Sequence, residues 1–367
     1  MTIPEERLHP SHRSESAPRS YGVNPRTPWK RVVILGLATG VAVIVILLAF
    51  IWPTITSTVK DLPLAVAGPS SQVSAMKSNL TSGSTHTFDI TVVSSRAEAV
   101  HKIRIRESYG AIILGDKPEV LIASANGAAV KAIMTSVASR IQDQANQQVQ
   151  RALQEAIAEH RAPEGAKAPT ITVPITDIVP LASGDPQGSA LLVAALPLVI
   201  GGILGGVLFS ILLVGDWRRI SAIIIYGVGA GLAIAAILQG WLAVIQGSYL
   251  LNVLAIGMSL IATASFVVGA SALIGRVGIA VGGVLTMLFG NPLSAAAEPQ
   301  MFLPGPWGSI GQWFVPGASI SLIRDISYFP DADSSFSWLV LAGWTVLGLL
   351  AVVLGRFRNQ EVSHAAE

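Results

Sequence analysis

Six apolar runs free of charged side chains, one near the start and five crowded into the second half, constrain this chain more than any other feature. A helix needs roughly 20 apolar residues to cross about 30 Å of hydrocarbon. Residues 32–52, 189–214, 220–245, 250–274, 277–289 with their continuation, and 336–354 fit that requirement. The pattern predicts a polytopic α-helical membrane protein with six transmembrane helices and an α+β extracytoplasmic domain between helices one and two. Its parts are a disordered cytoplasmic tail (1–31), helix one (32–52), the outer domain (53–188), a five-helix membrane domain (189–355) with a broken outer segment (290–335), and a second tail (356–367). The first run is too long for a signal peptide and ends in Trp52-Pro53 rather than a small-residue cleavage site, so it reads as a retained anchor.

Orientation follows from basic residues near the span ends, which stay cytoplasmic. Arg26, Lys30 and Arg31 precede the first span, Arg218 and Arg219 join the second to the third, Arg276 joins the fourth to the fifth, and Arg356 and Arg358 follow the sixth. The opposite connection, 246–249, carries no charge. Both termini are therefore expected in the cytoplasm, the chain being multi-pass in the plasma (inner) membrane. Arg324, in the long outer segment, is the one exception to the charge rule.

Charged residues make up 13% of the chain, against about 25% in soluble domains, as membrane burial requires. With no cysteine, the outer domain must fold on its apolar core alone, and thiolate metal sites are excluded. Acids and bases nearly cancel between 53 and 188, which argues against nucleic acid as a partner. His86, His101 and His160 are scattered without metal-ligand spacing, and no GxxxxGK[ST], GxSxG or HExxH motif occurs. The expectation is a non-enzyme without catalytic, metal or cofactor residues, and without an ATPase of its own.

Within the outer domain, 87–93 (TFDITVV) alternates like a strand, and 95–107 follows with helical spacing after a Ser94/Ser95 cap with Glu98 at the capping-box position. Strands are predicted at 109–114 and 119–124 around the Gly115-Asp116-Lys117-Pro118 turn, then a long glutamine-rich helix from Gly127 to before Pro163, and a short strand at 176–179. The order suits a split βαβ arrangement. Residues 53–84 carry few signals.

Small residues mark the spans. Gly201, Gly202, Gly205 and Gly206 form two overlapping pairs at four-residue spacing, repeated by Gly227 with Gly231 and Gly278 with Gly282. In lipid, close backbone approach supplies the packing energy, so these glycines are expected to pack helices within one molecule more than between two. No Asp, Glu, His, Lys or Arg interrupts the spans, which disfavours a proton-driven pump. Residues 290–335, apolar and aromatic but broken by Pro292, Pro299, Pro304, Pro306 and Pro316, suit short helices at the outer headgroups, with Trp307, Trp313, Tyr328 and Phe329 as interfacial anchors.

Three stretches then carry a family resemblance: SYGAIILG (108–115), IVPLASGDPQG (178–188), and GNPLS (290–294) through VPGASISLIRDISYF (315–329). With the layout of one span, an outer domain and five spans, the chain resembles the type 2 ABC exporter permeases, especially actinobacterial members related to the phage-infection protein (Pip) family. The resemblance implies a permease half that dimerises with itself or a related half and exports a hydrophobic or amphiphilic molecule using a separate ATPase. Such permeases usually meet their ATPase through cytoplasmic helices; here the second and third spans are joined by little more than a turn, so Trp217, Arg218 and Arg219 are the candidate contact. Asn291, Pro292 and Pro316 are the candidate outer gate. The plainer reading of each of these residues is topology or loop geometry. The alternative function is a non-transporting scaffold or surface receptor whose outer domain binds envelope proteins.

Overall fold

The computed structural model describes residues 27–81, 87–115, 117–161, 163 and 166–364, in two units, 1–46 and 47–367. Residues 1–26 of the expected tail, with Arg26, and His86 lie outside the described residues, as do the side chains of Arg356 and Arg358. In the first unit the described chain is the start of helix α1 (Trp29–Thr56), apolar and unbroken from Val32 to Ile46.

The second unit opens with the end of α1, which runs through Pro53 rather than stopping at Trp52. There follow β1 (Leu62–Ala67), α2 (Ser70–Thr81), β2 (Phe88–Val93), α3 (Arg96–Arg104), β3 (Gly110–Ile113), β4 (Glu119–Ile122), α4 (Ala128–Ala158) and β5 (Ile175–Asp177). The five strands form one sheet in the order β2-β1-β3-β4-β5. β1 runs parallel to both neighbours, β3 and β4 form the antiparallel hairpin, and β5 is parallel to β4.

β1 and α2 occupy the stretch that the sequence pattern leaves unassigned. β1 is buried on both faces: Leu62, Leu64 and Val66 pack with Val130, Met134 and Val137 of α4, while Ala65 and Ala67 face Ala99 and Ile103 of α3. A strand covered twice has no alternation to read, because both faces are apolar. The α3 cap forms with a shift from the usual box. Ser95 accepts from the Glu98 N–H, but Glu98 reaches back to the N–H and hydroxyl of Ser94. The polar face of α4 is put to use: Gln142 and Asn146 hold the backbone of Val173 and Ile171, which leads into β5.

Among the described residues, five helices are long and apolar enough to cross a membrane: Trp29–Pro53, Ala190–Leu212, Asp216–Trp241, Tyr249–Ile274 and Ser335–Gly355. The last four are α5 (Ala190–Leu212), α6 (Asp216–Ala235, extended by a π-helical turn to Trp241), α7 (Tyr249–Ile274) and, after α8 (Arg276–Val284), α9 (Trp307–Gly311) and α10 (Val315–Tyr328), α11 (Ser335–His364). α8 also continues as a π-helical turn, to Gly290. At 1.5 Å per residue, Arg276–Gly290 covers about 22 Å, short of the bilayer's hydrocarbon.

The third apolar run does not stay helical to Ile245. The chain turns back after Trp241, where Ala243 takes a positive φ of 48° and its carbonyl accepts from the Gly184 N–H at 3.0 Å. A Cβ on Gly184 would lie 1.9 Å from the Leu242 oxygen, so this turn packs backbone to backbone against the connection into α5.

α7 is the hub of the bundle: 72% of its apolar window is buried, against 22–33% for α5, α6 and α11. The glycines sit at its contacts. Gly202 and Gly206 face Thr263 and Val267, Gly227 and Gly231 face Gly257, and Gly278 and Gly282 face Ala270 and Val267. A Cβ on Gly202 would fall 2.6 Å from Thr263, which leaves no room for any other residue. Gly201 and Gly205 lie instead against Tyr226 of α6, whose hydroxyl donates to the Gly201 carbonyl.

Candidate functional site

The α/β domain rests on one end of the bundle, and the contact is polar. α3 ends at Arg104 with Ile105 as its cap, and Arg106 takes a positive φ of 62°, a conformation that costs a non-glycine residue about 1–3 kcal/mol. That turn delivers the guanidinium into the seam. There it donates to the carboxylate of Asp325 on α10 and, at 3.2 Å, to Asn126 Oδ1. The rings of Tyr109 and Phe329 flank it, 5.9 and 5.5 Å from its centre. Arg106 and Asp325 thus tie the domain to a helix more than 200 residues away in sequence.

α10 is buried along almost its whole length, including Arg324 and Asp325. Arg324 Nη2 donates to the Ala296 carbonyl at 2.8 Å, but its buried Nε has no partner among the described residues. Burial, then the nearby Arg106 guanidinium, lowers the Arg324 pKa to about 10, so it remains a cation at neutral pH. Among the described residues no carboxylate lies within salt-bridge distance of it.

Both arginines line a cavity of about 660 Å³ between the turn after α3 and the broken segment. Gln312 and Ser321, hydrogen-bonded to each other at 2.6 Å, form part of the polar wall. Trp313 and Phe336 stand at its edge, ring to ring at 5.0 Å and perpendicular, and both are exposed. On the far side Glu298 accepts from the Ser57 hydroxyl just after α1, and the Thr58 N–H donates to the Phe302 carbonyl, so the segment is pinned to the end of α1.

The residues expected to meet an ATPase divide. Trp217 and Arg218 are exposed at the start of α6, at the end of the bundle away from the α/β domain. Arg219 is partly buried and donates to the carbonyls of Leu213 (3.0 Å) and Ser210 (3.2 Å), capping the C-terminal end of α5. The three residues expected at an outer gate divide as well. Asn291 and Pro292 line a cavity of about 450 Å³ with Leu192 and Leu196 of α5. Pro316 is packed on Gly290 and closes a junction of α5, α7 and α10 with almost no free volume.

Sequence reasoning missed Arg106, Asn126 and Asp325, and took Arg324 only as an exception to the charge rule. The available signal was the Arg324-Asp325 pair itself, two opposite charges inside an apolar helix-length stretch. Arg106 gave none.

A family model described as ABC-2 family transporter protein matches residues 30–215, from α1 through the α/β domain to the turn after α5. No curated protein and no solved structure matches the chain.

Proposed function

The chain belongs to the ABC-2 transporter family, and on that premise we propose that it is the permease subunit of a type 2 ABC exporter that moves a hydrophobic or amphiphilic molecule outward. The match across α1, the α/β domain and α5 carries this reading, because it joins the membrane helices and the inserted domain in one family unit. It favours a permease over a non-transporting scaffold. The kinship with the phage-infection proteins stays with the quoted motifs.

In this reading the chain crosses the membrane six times, with Arg276–Gly290 as the short fifth crossing and the proline-broken segment at the outer headgroups. The α/β domain lies outside and both termini inside. Support comes from the charges: Arg218, Arg219 and Arg276 share the end of the bundle opposite the α/β domain, as the positive-inside rule asks of a cytoplasmic face. The protein acts as a dimer with itself or a related half, has no enzymatic activity of its own, and draws energy from a separate ATPase docked at Trp217 and Arg218. Arg219, occupied by the α5 carbonyls, positions that turn and makes no direct contact.

Crosslinking in cells, followed by purification in mild detergent and mass spectrometry, tests the proposal. An ATPase is expected among the retained proteins, and Arg218→Glu combined with Trp217→Ala is expected to release it while the permease still folds. Retention of envelope proteins through the α/β domain, with no ATPase, would replace the exporter by the scaffold.

A further inference from the structure

The cavity beneath the α/β domain is lined by two arginines and five carboxylates, and among the described residues one of those arginines keeps a buried donor unpaired. Its lining carboxylates are mostly committed elsewhere: Asp325 accepts from Arg106, Glu107 from Lys102, Glu298 from Ser57, and Asp333 from the Ser335 N–H. Among the described residues Arg324 has the Ala296 carbonyl as its one hydrogen-bond partner, is 6% exposed, and keeps its Nε unpaired. A guanidinium offers five N–H donors, and leaving a buried one without an acceptor is costly. An oxygen acceptor of a phosphate or carboxylate group would satisfy it, since arginine is the matched donor for both.

Two features at the mouth refine the ligand. Asp331 and Asp333 are exposed on the rim, so a second negative charge is repelled there and a positive one is attracted. Trp313, 63% exposed, and Phe336, 42% exposed, form an apolar edge beside the cavity, and tryptophan at such a position belongs to the headgroup level of a bilayer.

We propose that the cavity takes the zwitterionic headgroup of an outer-leaflet amphiphile, with its phosphate or carboxylate on Arg324, its amine toward Asp331 and Asp333, and its chain leaving over Trp313 and Phe336. This rests on the permease reading for the leaflet it names, and it gives that reading a substrate class. The aromatic edge lets a tail remain in lipid while the head is drawn under the domain. Gln312 and Ser321 offer further polar contacts to the head.

The test is lipid retention by the purified full-length protein, read by native mass spectrometry with phosphatidylethanolamine, phosphatidylglycerol and inorganic phosphate as separate probes. Phosphatidylethanolamine is expected to be retained in preference to phosphatidylglycerol, and Arg324→Gln to weaken it by about tenfold or more. Trp313→Ala, at an exposed side chain, is expected to weaken the lipid but not inorganic phosphate. Asp331→Asn with Asp333→Asn is expected to erase the preference between the two lipids; these variants keep the proposal testable if Arg324→Gln fails to fold. Equal retention of phosphatidylethanolamine by all variants that fold overturns the proposal, and so does Arg324-dependent binding of inorganic phosphate with no lipid retained. Neither result touches the ATPase crosslink, so loss of this site and loss of the permease reading are separable.

Discussion

Arg219 and Arg324 both lie beside membrane helices, and their surroundings are opposite. Arg219 sits in the turn between α5 and α6, where two carbonyls at the α5 end accept from it and the helix dipole favours its charge. Arg324 sits at the seam with the α/β domain, enclosed, with one carbonyl partner and a second guanidinium nearby. The charge rule takes Arg219 as a cytoplasmic marker and Arg324 as its exception, and says nothing of what either touches. Enclosure with an unpaired donor separates a ligand-seeking arginine from one that caps a helix.

The seam should be far more sensitive than the turn. Asp325→Ala leaves the buried Arg106 guanidinium without its carboxylate, and removing one partner of a buried pair costs about 3–5 kcal/mol. The purified variant is expected to unfold at clearly lower temperature in detergent, and its α/β domain to become cleavable around Arg106. A variant with wild-type melting and protease resistance would remove the reason to treat the seam as special.

At the turn, Arg219→Ala frees two carbonyls that lie close to water, and a net loss of roughly 1 kcal/mol is expected. Arg219→Lys should recover part of it, since an ammonium also satisfies carbonyls at a helix end. Arg218→Ala, at an exposed side chain, is expected within about 0.5 kcal/mol of wild type. Thermal unfolding of the three variants side by side checks the order. If Arg219→Ala proved as damaging as Asp325→Ala, carbonyl capping would not explain the difference between the two ends.

What was legible in the sequence follows the same physical line. The long spans, β2, α3, the β3-β4 hairpin and α4 announce themselves because local periodicity or length decides them. β1 does not, since its residues are apolar on both faces and only the finished sheet shows which face meets which helix. The early end of α6 was hidden for a related reason: 242–245 is as apolar as the helix before it, and the turn depends on Gly184, nearly 60 residues upstream. Arg106 was illegible because nothing near it in sequence marks a buried charge; its partner arrives from the other end of the chain. The glycine pairs carry their own geometry, four residues apart on one helix face, and so could be located without a partner in view.

The smallest effect concerns the ion pair Arg96–Glu119, a solvent-facing counterpart of the seam. Arg96 is half exposed, and it joins Thr176 in donating to Glu119, linking α3, β4 and β5. The hydrogen bond from Arg96 is the largest influence holding the Glu119 carboxyl below its ordinary value. A carboxylate whose folded pKa is depressed binds its proton more readily when unfolded. Its contribution is therefore present above the unfolded value, near 4.3, and is lost as pH falls through the lower folded value. Stability of the α/β domain, followed by protease resistance of the full-length protein, should drop across that acid window. Glu119→Gln should remove this portion of the drop while costing little at neutral pH, because solvent screens the pair. A loss at neutral pH as large as that of Asp325→Ala would mean that exposure does not set the worth of these ion pairs, and the contrast between surface and seam would fail.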